Sequence, residues 1–358
     1  MTEIEQRRRR AASRVDELKV DALLVSSPAN IRYLSGFAGS NALMLLLGSE
    51  SHFFTDPRYE IEATRNITGK VHVVRGPLMD AVAAIVKRKK LKKIGFEANW
   101  LRYDDASKFK EKLPLGSVLH PVGRVIDEQR MVKSKSEIDI IRRSVQLNSL
   151  AFSLTLKRVK PGMTENEVAA DLEYRMRLLG AEKPAFETIV AAGSRSALPH
   201  AHPTARRLGK NELLLIDMGA SLDGYSSDMT RVVHLGPPPP RIRRMYQAVL
   251  EAQLAGIDAV RPGVTAGSVD HATRKVLKRH KLDREFVHST GHGLGLEIHE
   301  SPRIGRKDPT ELKAGMAITI EPGVYIDGLG GIRIEDTVLV TESGCEILTP
   351  TTKDFVTL

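Results

Sequence analysis

Apolar and polar positions alternate in two different ways along the chain. Up to about residue 125, short β-type runs alternate with helical patterns. Residues 3–18 read as a helix and Ala22-Leu23-Leu24-Val25 as a strand. Residues 41–47 and 52–55 read as two strands joined across Gly48, and residues 59–64 as the start of a helix. Then come a strand over 71–74, a helix over 79–91, a strand over 94–97 and a helix over 104–112. This order predicts a small α/β domain with a mixed sheet. A boundary falls between Val122 and Ser136, where Gly123 and a charged run ending at Lys135 precede a long amphipathic helix reaching about Arg158. The domains are therefore set at 1–130 and 131–358.

The second stretch contains a repeat. Val159-Lys160-Pro161-Gly162-Met163-Thr164 recurs as Val260-Arg261-Pro262-Gly263-Val264-Thr265, 101 residues later. A helical pattern precedes and follows each copy. Thr164 with Glu167 makes a capping box, and Gly180 is placed to end that helix. Each half then runs into a hairpin pattern. The prediction is an α+β domain with pseudo-twofold symmetry, its helices on one side of a curved antiparallel sheet.

The two hairpins carry the acids. In LLLIDMGASLDGYSSDMTR, residues 213–231, an apolar run ends at Asp217 and turns at Asp223-Gly224. A two-residue turn there places residue 230 opposite residue 217, so Asp217 and Asp228 share a face. In the second hairpin, a turn centred on Gly328 sets Glu321 opposite Glu335.

Composition narrows the classes. The chain has 358 residues, 41% hydrophobic and 27% charged, as in an ordinary globular protein. It contains no apolar run near the ~20 residues of a membrane span. MTEIEQRRRR lacks an apolar core, so no secretory leader is expected. Cys345 has no partner cysteine, which agrees with a reducing cytoplasm, and it reads as a bystander. The net charge is +10, densest at Arg7 to Arg10 and Lys87 to Lys90. Both clusters lie in or beside helical patterns and read as solvated helix faces. No aromatic-interleaved basic motif or zinc-finger spacing accompanies them, so no nucleic-acid partner is expected. Gly36-Phe37-Ala38-Gly39 is too short to signal a phosphate loop.

Four carboxylates converging on one pocket carry a formal charge of −4, which two divalent cations balance. Burying such acids without a cation is costly. An imidazole ligand is available at His292, between Gly291 and Gly293, whose missing side chains allow the backbone to approach a metal closely. An oxygen-rich set with one imidazole favours Mn²⁺, Co²⁺ or Fe²⁺ over zinc.

These residues match a known pattern. IDMGA with a second Asp eleven residues on, STGHGLGLEIHE, TIEPGVY and GIRIED together resemble the pita-bread metallopeptidases of family M24. That family includes methionine aminopeptidase, aminopeptidase P and prolidase. The extra N-terminal domain, with FFTDPRY, resembles that of aminopeptidase P and prolidase. The resemblance implies Asp217 on one metal, His292 and Glu321 on the other, and Asp228 and Glu335 bridging both. It implies two divalent ions, Mn²⁺ first with Co²⁺ or Zn²⁺ as alternatives, and a bridging hydroxide as nucleophile. Glu321 then also passes a proton to the leaving nitrogen. His200 and His299 match the family's substrate histidines, and Arg333 an arginine that orients a carboxylate of the site. Arg303 resembles the arginine with which archaeal prolidases hold the free carboxylate of proline. Phe186 departs from aminopeptidase P members that carry Tyr there. The implied activity is hydrolysis of the Xaa-Pro bond at the N-terminus of a peptide, as an aminopeptidase or a dipeptidase. The expected partner is a proline-containing peptide, with a cytoplasmic homodimer as the family's form. The alternative is a catalytically inactive binding module of the same fold.

Overall fold

The structure is a computed structural model that describes residues 2–358. It divides into two compact units, the first ending at Arg130 and the second beginning at Met131. No helix among the described residues is long and apolar enough to cross a membrane.

The first unit is built on six strands: β1 (Ala22–Val25), β2 (Ala42–Leu47), β3 (Glu50–Thr55), β4 (Lys70–Val73), β5 (Lys93–Glu97) and β6 (Val118–Val122). Their order is β4-β3-β2-β1-β5-β6. Only β2 runs antiparallel to its neighbours, so the sheet is mixed. The helices are α1 (Glu3–Glu17), α2 (Pro28–Ser35), α3 (Glu60–Asn66), α4 (Leu78–Lys89), α5 (Tyr103–Lys112) and α6 (Val125–Met131). Leu24, Phe54, Val82, Val86, Ile94 and Phe109 form the core between sheet and helices.

Three of these elements do not show in the apolar pattern. Helix α2 starts where Ser27 accepts from the Asn30 amide and Pro28 opens the first turn, and it stops at Gly36 with φ +78°. Strand β6 leads up to the stretch that reads as a boundary and helix α6 occupies it; Val125 and Ile126 are buried there. The basic run in α1 is also not a solvated face throughout. Arg7 is buried with its guanidinium 4.3 Å from the Tyr33 ring centroid, and Arg8 donates to the Leu34 carbonyl at 2.6 Å.

The second unit has four long helices: α7 (Lys135–Leu156), α8 (Glu165–Leu178), α9 (Pro240–Asp258) and α10 (Ala266–Arg279). Its strands are β7 (Lys183–Pro184), β8 (Ile189–Ala192), β9 (Glu212–Met218), β10 (Ala220–Leu222), β11 (Tyr225–Ser226), β12 (Met229–Leu235) and β13 (Gly291–Gly293). After them come β14 (Glu300–Ile304), β15 (Ala317–Ile320), β16 (Gly323–Ile326), β17 (Gly330–Arg333), β18 (Asp336–Val340) and β19 (Cys345–Ile347). Every pairing between these strands is antiparallel.

The repeat has a physical meaning. Gly162 and Gly263 sit at φ +92° and +82°, a region that favours glycine. The Gly162 amide donates to Leu208 O at 2.8 Å, and Gly263 donates to Leu312 O at 2.9 Å. Thr164 and Thr265 then cap α8 and α10, the first in a full capping box with Glu167. The same local chemistry thus launches the second helix of each half.

Each half ends in its hairpin. In the first, Thr230 pairs with Asp217 and Leu222 with Tyr225, so the turn at Asp223-Gly224 sets one register throughout. In the second, Ile320 pairs with Asp336 and Gly323 with Arg333. The register on either side of Glu321 and Glu335 is therefore the same. The ladder lapses where Asp228, Glu321 and Glu335 lie, which frees their side chains to turn inward.

Candidate metal centre

The halves meet along 228–231 of the first hairpin and 333–337 of the second. The Glu335 amide donates to Thr230 O at 3.2 Å, and Thr337 Oγ1 donates to Asp228 O at 3.0 Å. Behind this seam Arg231 is buried. It donates to the Glu335 carbonyl at 2.5 Å and to Asp336 Oδ1 at 2.7 Å.

Asp228, His292 and Glu335 place ligand atoms within 4.8 Å of one another. His292 Nε2 lies 3.6 Å from Asp228 Oδ2 and 3.4 Å from Glu321 Oε1. Asp217 joins them electrostatically: its charge helps push up the pKa values of Asp228, Glu321 and Glu335. All five predicted ligand residues are thus gathered at one place.

This cluster is short of donors. Glu335 Oε2 accepts from Thr230 Oγ1 at 2.7 Å, but Glu335 Oε1 and Asp217 Oδ1 are buried with no hydrogen-bond partner. Burial, reinforced by neighbouring carboxylates, drives the pKa of Asp228 and of Glu335 well above the usual range. Burial also raises Glu321 to about 8. Such a cluster requires either protons or cations, and its donor set of four carboxylates and one imidazole fits hard divalent metals.

His292 is prepared as a ligand. Its Nδ1 lies 3.0 Å from the Gly293 carbonyl, so the proton sits on Nδ1 and the Nε2 lone pair faces the acids. Burial, then the charge of His299, lowers its pKa to about 4. The flanking glycines have another cause than the one the sequence suggests. A Cβ at Gly291 would overlap the Thr319 carbonyl, and one at Gly293 the Ser301 carbonyl. They are small because neighbouring strands press against them.

Arg333 ties the two hairpins together. It donates to Asp217 Oδ2 at 2.5 Å, Thr230 Oγ1 at 3.0 Å, Tyr325 Oη at 2.6 Å and Pro199 O at 3.3 Å. Burial opposes its charge, but Tyr325, Asp217, Glu321 and Glu335 hold it firmly cationic. It is a buried clamp, not a strand-surface arginine. Tyr325 in turn lies 2.8 Å from His288 Nε2, and His288 Nδ1 lies 2.8 Å from Ser289 O. His288 must therefore accept from the tyrosine. Sequence reasoning does not find Thr230, Tyr325 and His288. Tyr325 and His288 lie in the runs TIEPGVY and HSTGH, but no local signal marks them as partners of Arg333.

The remaining residues are more open. His200 and His299 are exposed; the ring centroids of His299 and His292 are 4.5 Å apart. Burial and then the charge of His200 lower the His299 pKa, so the two lie near each other. Arg303 is exposed on β14, directly across from His292 on β13. Glu300 pairs with Lys133 at 3.0 Å, both side chains buried. Phe186 lies against Gly219, where a Cβ would strike its ring; it brings no hydroxyl. Cys345 is free, its Sγ 3.4 Å from Ile257 O.

Known proteins resemble this chain in sequence and fold. The profile of metallopeptidase family M24 matches residues 139–342, and that of the creatinase/prolidase N-terminal domain matches residues 7–132. The chain is 39% identical to an Xaa-Pro dipeptidase of Pyrococcus furiosus, covering 96% of this chain and 97% of the relative. Among solved structures, an Xaa-Pro dipeptidase from Bacillus anthracis superposes with a TM-score of 0.96 at 36% identity, over 99% and 100% of the two chains. An X-Pro aminopeptidase from Thermotoga maritima gives 0.89 at 34% identity, over 96% and 100%.

Proposed function

The chain belongs to metallopeptidase family M24, and from that premise we propose that it is an Xaa-Pro dipeptidase using two divalent metal ions. The relatives named Xaa-Pro dipeptidases and the presence of all five ligand residues support a hydrolase over the inactive binding module. The observation that carries the reading is the donor-poor cluster of Asp217, Asp228, Glu321, Glu335 and His292, whose buried, unpartnered oxygens call for cations.

Asp217, Asp228, His292, Glu321 and Glu335 would hold the metals, with Asp228 and Glu335 shared. Mn²⁺ suits the set best, with Co²⁺ or Zn²⁺ as alternatives. When bound, the ions polarise the scissile carbonyl and make a water nucleophilic at neutral pH. The chain's own residues do the rest. Arg333 keeps Asp217 aimed through its hydrogen bond to Oδ2. Glu321 takes up a proton and delivers it to the prolyl nitrogen as the bond breaks. His200 and His299 line the open side and donate to the carbonyl oxygen as charge grows on it. The Xaa-Pro bond has no N–H, so recognition falls on the two ends of the substrate.

The dipeptidase reading rests on Arg303, an exposed cation beside His292, and on the naming of the 39%-identical relative. A free proline carboxylate suits a charged partner there. The catalytic machinery is assigned to residues 131–358. Family resemblance supports a homodimer, and a chain with a single cysteine agrees with a reducing cytoplasm. Turnover of Xaa-Pro dipeptides against Xaa-Pro-Yaa-Zaa tetrapeptides, after chelation and readdition of Mn²⁺, tests the whole. Dipeptides should be cleaved only with metal; efficient tetrapeptide cleavage would overturn the dipeptidase assignment.

A further inference from the structure

We propose that Glu165 is a positioning residue that holds the loop carrying His200; the inference rests on the reading of His200 as a substrate contact. Glu165 is the first residue of α8, and it is fully buried. It does not cap its own helix, because Thr164 and Glu167 already do. Its carboxylate turns instead to the segment between β8 and β9.

The two oxygens grip the two feet of that loop. Oε1 accepts from the Ala192 amide at 2.9 Å, where the loop leaves β8. Oε2 accepts from the Thr204 amide at 3.0 Å and from Thr204 Oγ1 at 2.6 Å, four residues beyond His200. Arg195 Nε spans both oxygens at 3.1 and 3.2 Å, and its NH2 donates to His202 O at 2.7 Å. Main-chain bonds close the ring: Asn166 N to Thr204 O and Glu165 N to Arg206 O, both 3.1 Å. The middle of the loop leans on the second hairpin. Ser196 Oγ accepts from the Gly331 amide at 2.8 Å, and Arg333 donates to Pro199 O. His200 is thus an exposed side chain on a backbone fixed at both ends and at its centre.

The repeat supplies an internal control. In the second half, the residue after the capping threonine is Ala266, equally buried but without a carboxylate. The helix start therefore does not need an acid at this place. The matching segment of the second half also carries a histidine, His299, but β14 follows it directly and pairs with β13, so ladder bonds stand there in place of a carboxylate. A fully buried carboxylate needs donors or a cation to compensate it, and here every donor except the arginine's belongs to the loop's two feet.

The test compares Glu165→Gln with and without His200, in the metal-loaded enzyme, on Xaa-Pro dipeptides and Xaa-Pro-Yaa-Zaa tetrapeptides. Glutamine can still accept from Ala192 and Arg195 but presents N–H groups to the Thr204 amide, releasing the second foot. Glu165→Gln should lower kcat/KM roughly ten- to a hundredfold, chiefly through kcat, because the His200 contact strengthens as charge develops. In a His200→Ala background the same change should cost nothing further. Thr204→Val, a milder change that leaves the amide donor, should fall in the same direction, and Thr204→Ser should restore activity. Calorimetric Mn²⁺ affinity of the metal-free protein should be unchanged throughout. Equal losses with and without His200, or a Mn²⁺ affinity that falls in step with activity, would show a general structural role and overturn the proposal. A large loss from His200→Ala with none from Glu165→Gln overturns it alone; no loss from His200→Ala removes the substrate role of His200 and the proposal with it.

Discussion

Glu165 and Glu335 are buried to the same degree, yet the protein treats them in opposite ways. Around Glu165, at the start of α8, every lone pair in reach meets an N–H or O–H. Around Glu335, at the junction of the hairpins, one hydroxyl serves one oxygen, the other has no partner, and three more acids stand nearby. A buried carboxylate that organises structure is saturated by donors. A buried carboxylate cluster left unsaturated is a cost the fold carries for a ligand of opposite charge.

This contrast can be broken most sharply at Asp228. Asp228→Ala should reduce metal-dependent hydrolysis to background, because a shared ligand has no substitute; near-normal turnover would refute the centre itself. Next in size is the response of the metal-free protein to pH. Asp228, Glu321 and Glu335 have folded-state pKa values raised above those of the unfolded chain, so folding favours their protonated forms. The stability this lends is complete below the ordinary values, 3.8 for Asp and 4.5 for Glu, and drains away as pH rises through about 8 for Glu321. Thermal unfolding of chelated protein should thus fall from pH 5 to 9, and Mn²⁺ should reverse the fall. A flat profile would mean that the acids are not packed together.

The two glutamates should also part company as variants. Glu165→Gln strands a donor and should destabilise the protein by about 1–3 kcal/mol with or without metal. Glu335→Gln removes a repelling charge, and at pH 8 it should raise the unfolding midpoint of the metal-free protein by about 2–4 °C while weakening Mn²⁺ binding. Both midpoints moving the same way would erase the distinction. The smallest effect lies outside the buried pair, at Arg303. Arg303→Ala should raise KM for dipeptides roughly tenfold, the size of one charge-assisted hydrogen bond, and leave tetrapeptides untouched.

Much of the fold and the site is legible in the sequence wherever the cause is local. Asp223-Gly224 dictates a tight turn, so the register that pairs Thr230 with Asp217 follows from counting. Thr164 with Glu167 announces a helix start, and the paired Pro-Gly-x-Thr runs expose the duplication. Even α2 has its signal in Ser27-Pro28, which the strand-and-helix pattern around it obscures. Other features have no local cause. Arg7 belongs by sequence to a solvated run, but the Tyr33 ring lies against its guanidinium. Arg333 reaches Asp217 across 116 positions, and Glu165 finds Thr204 39 residues away.

The chain by itself determined the elements, the turns and the identity of the acids, because backbone preference and side-chain periodicity act between neighbours. Only the tertiary structure decided which acids would be fed with donors and which left hungry. That depends on which groups two distant hairpins and a helix start bring within 3 Å of each other, and nothing in the spacing of residues along a strand records it.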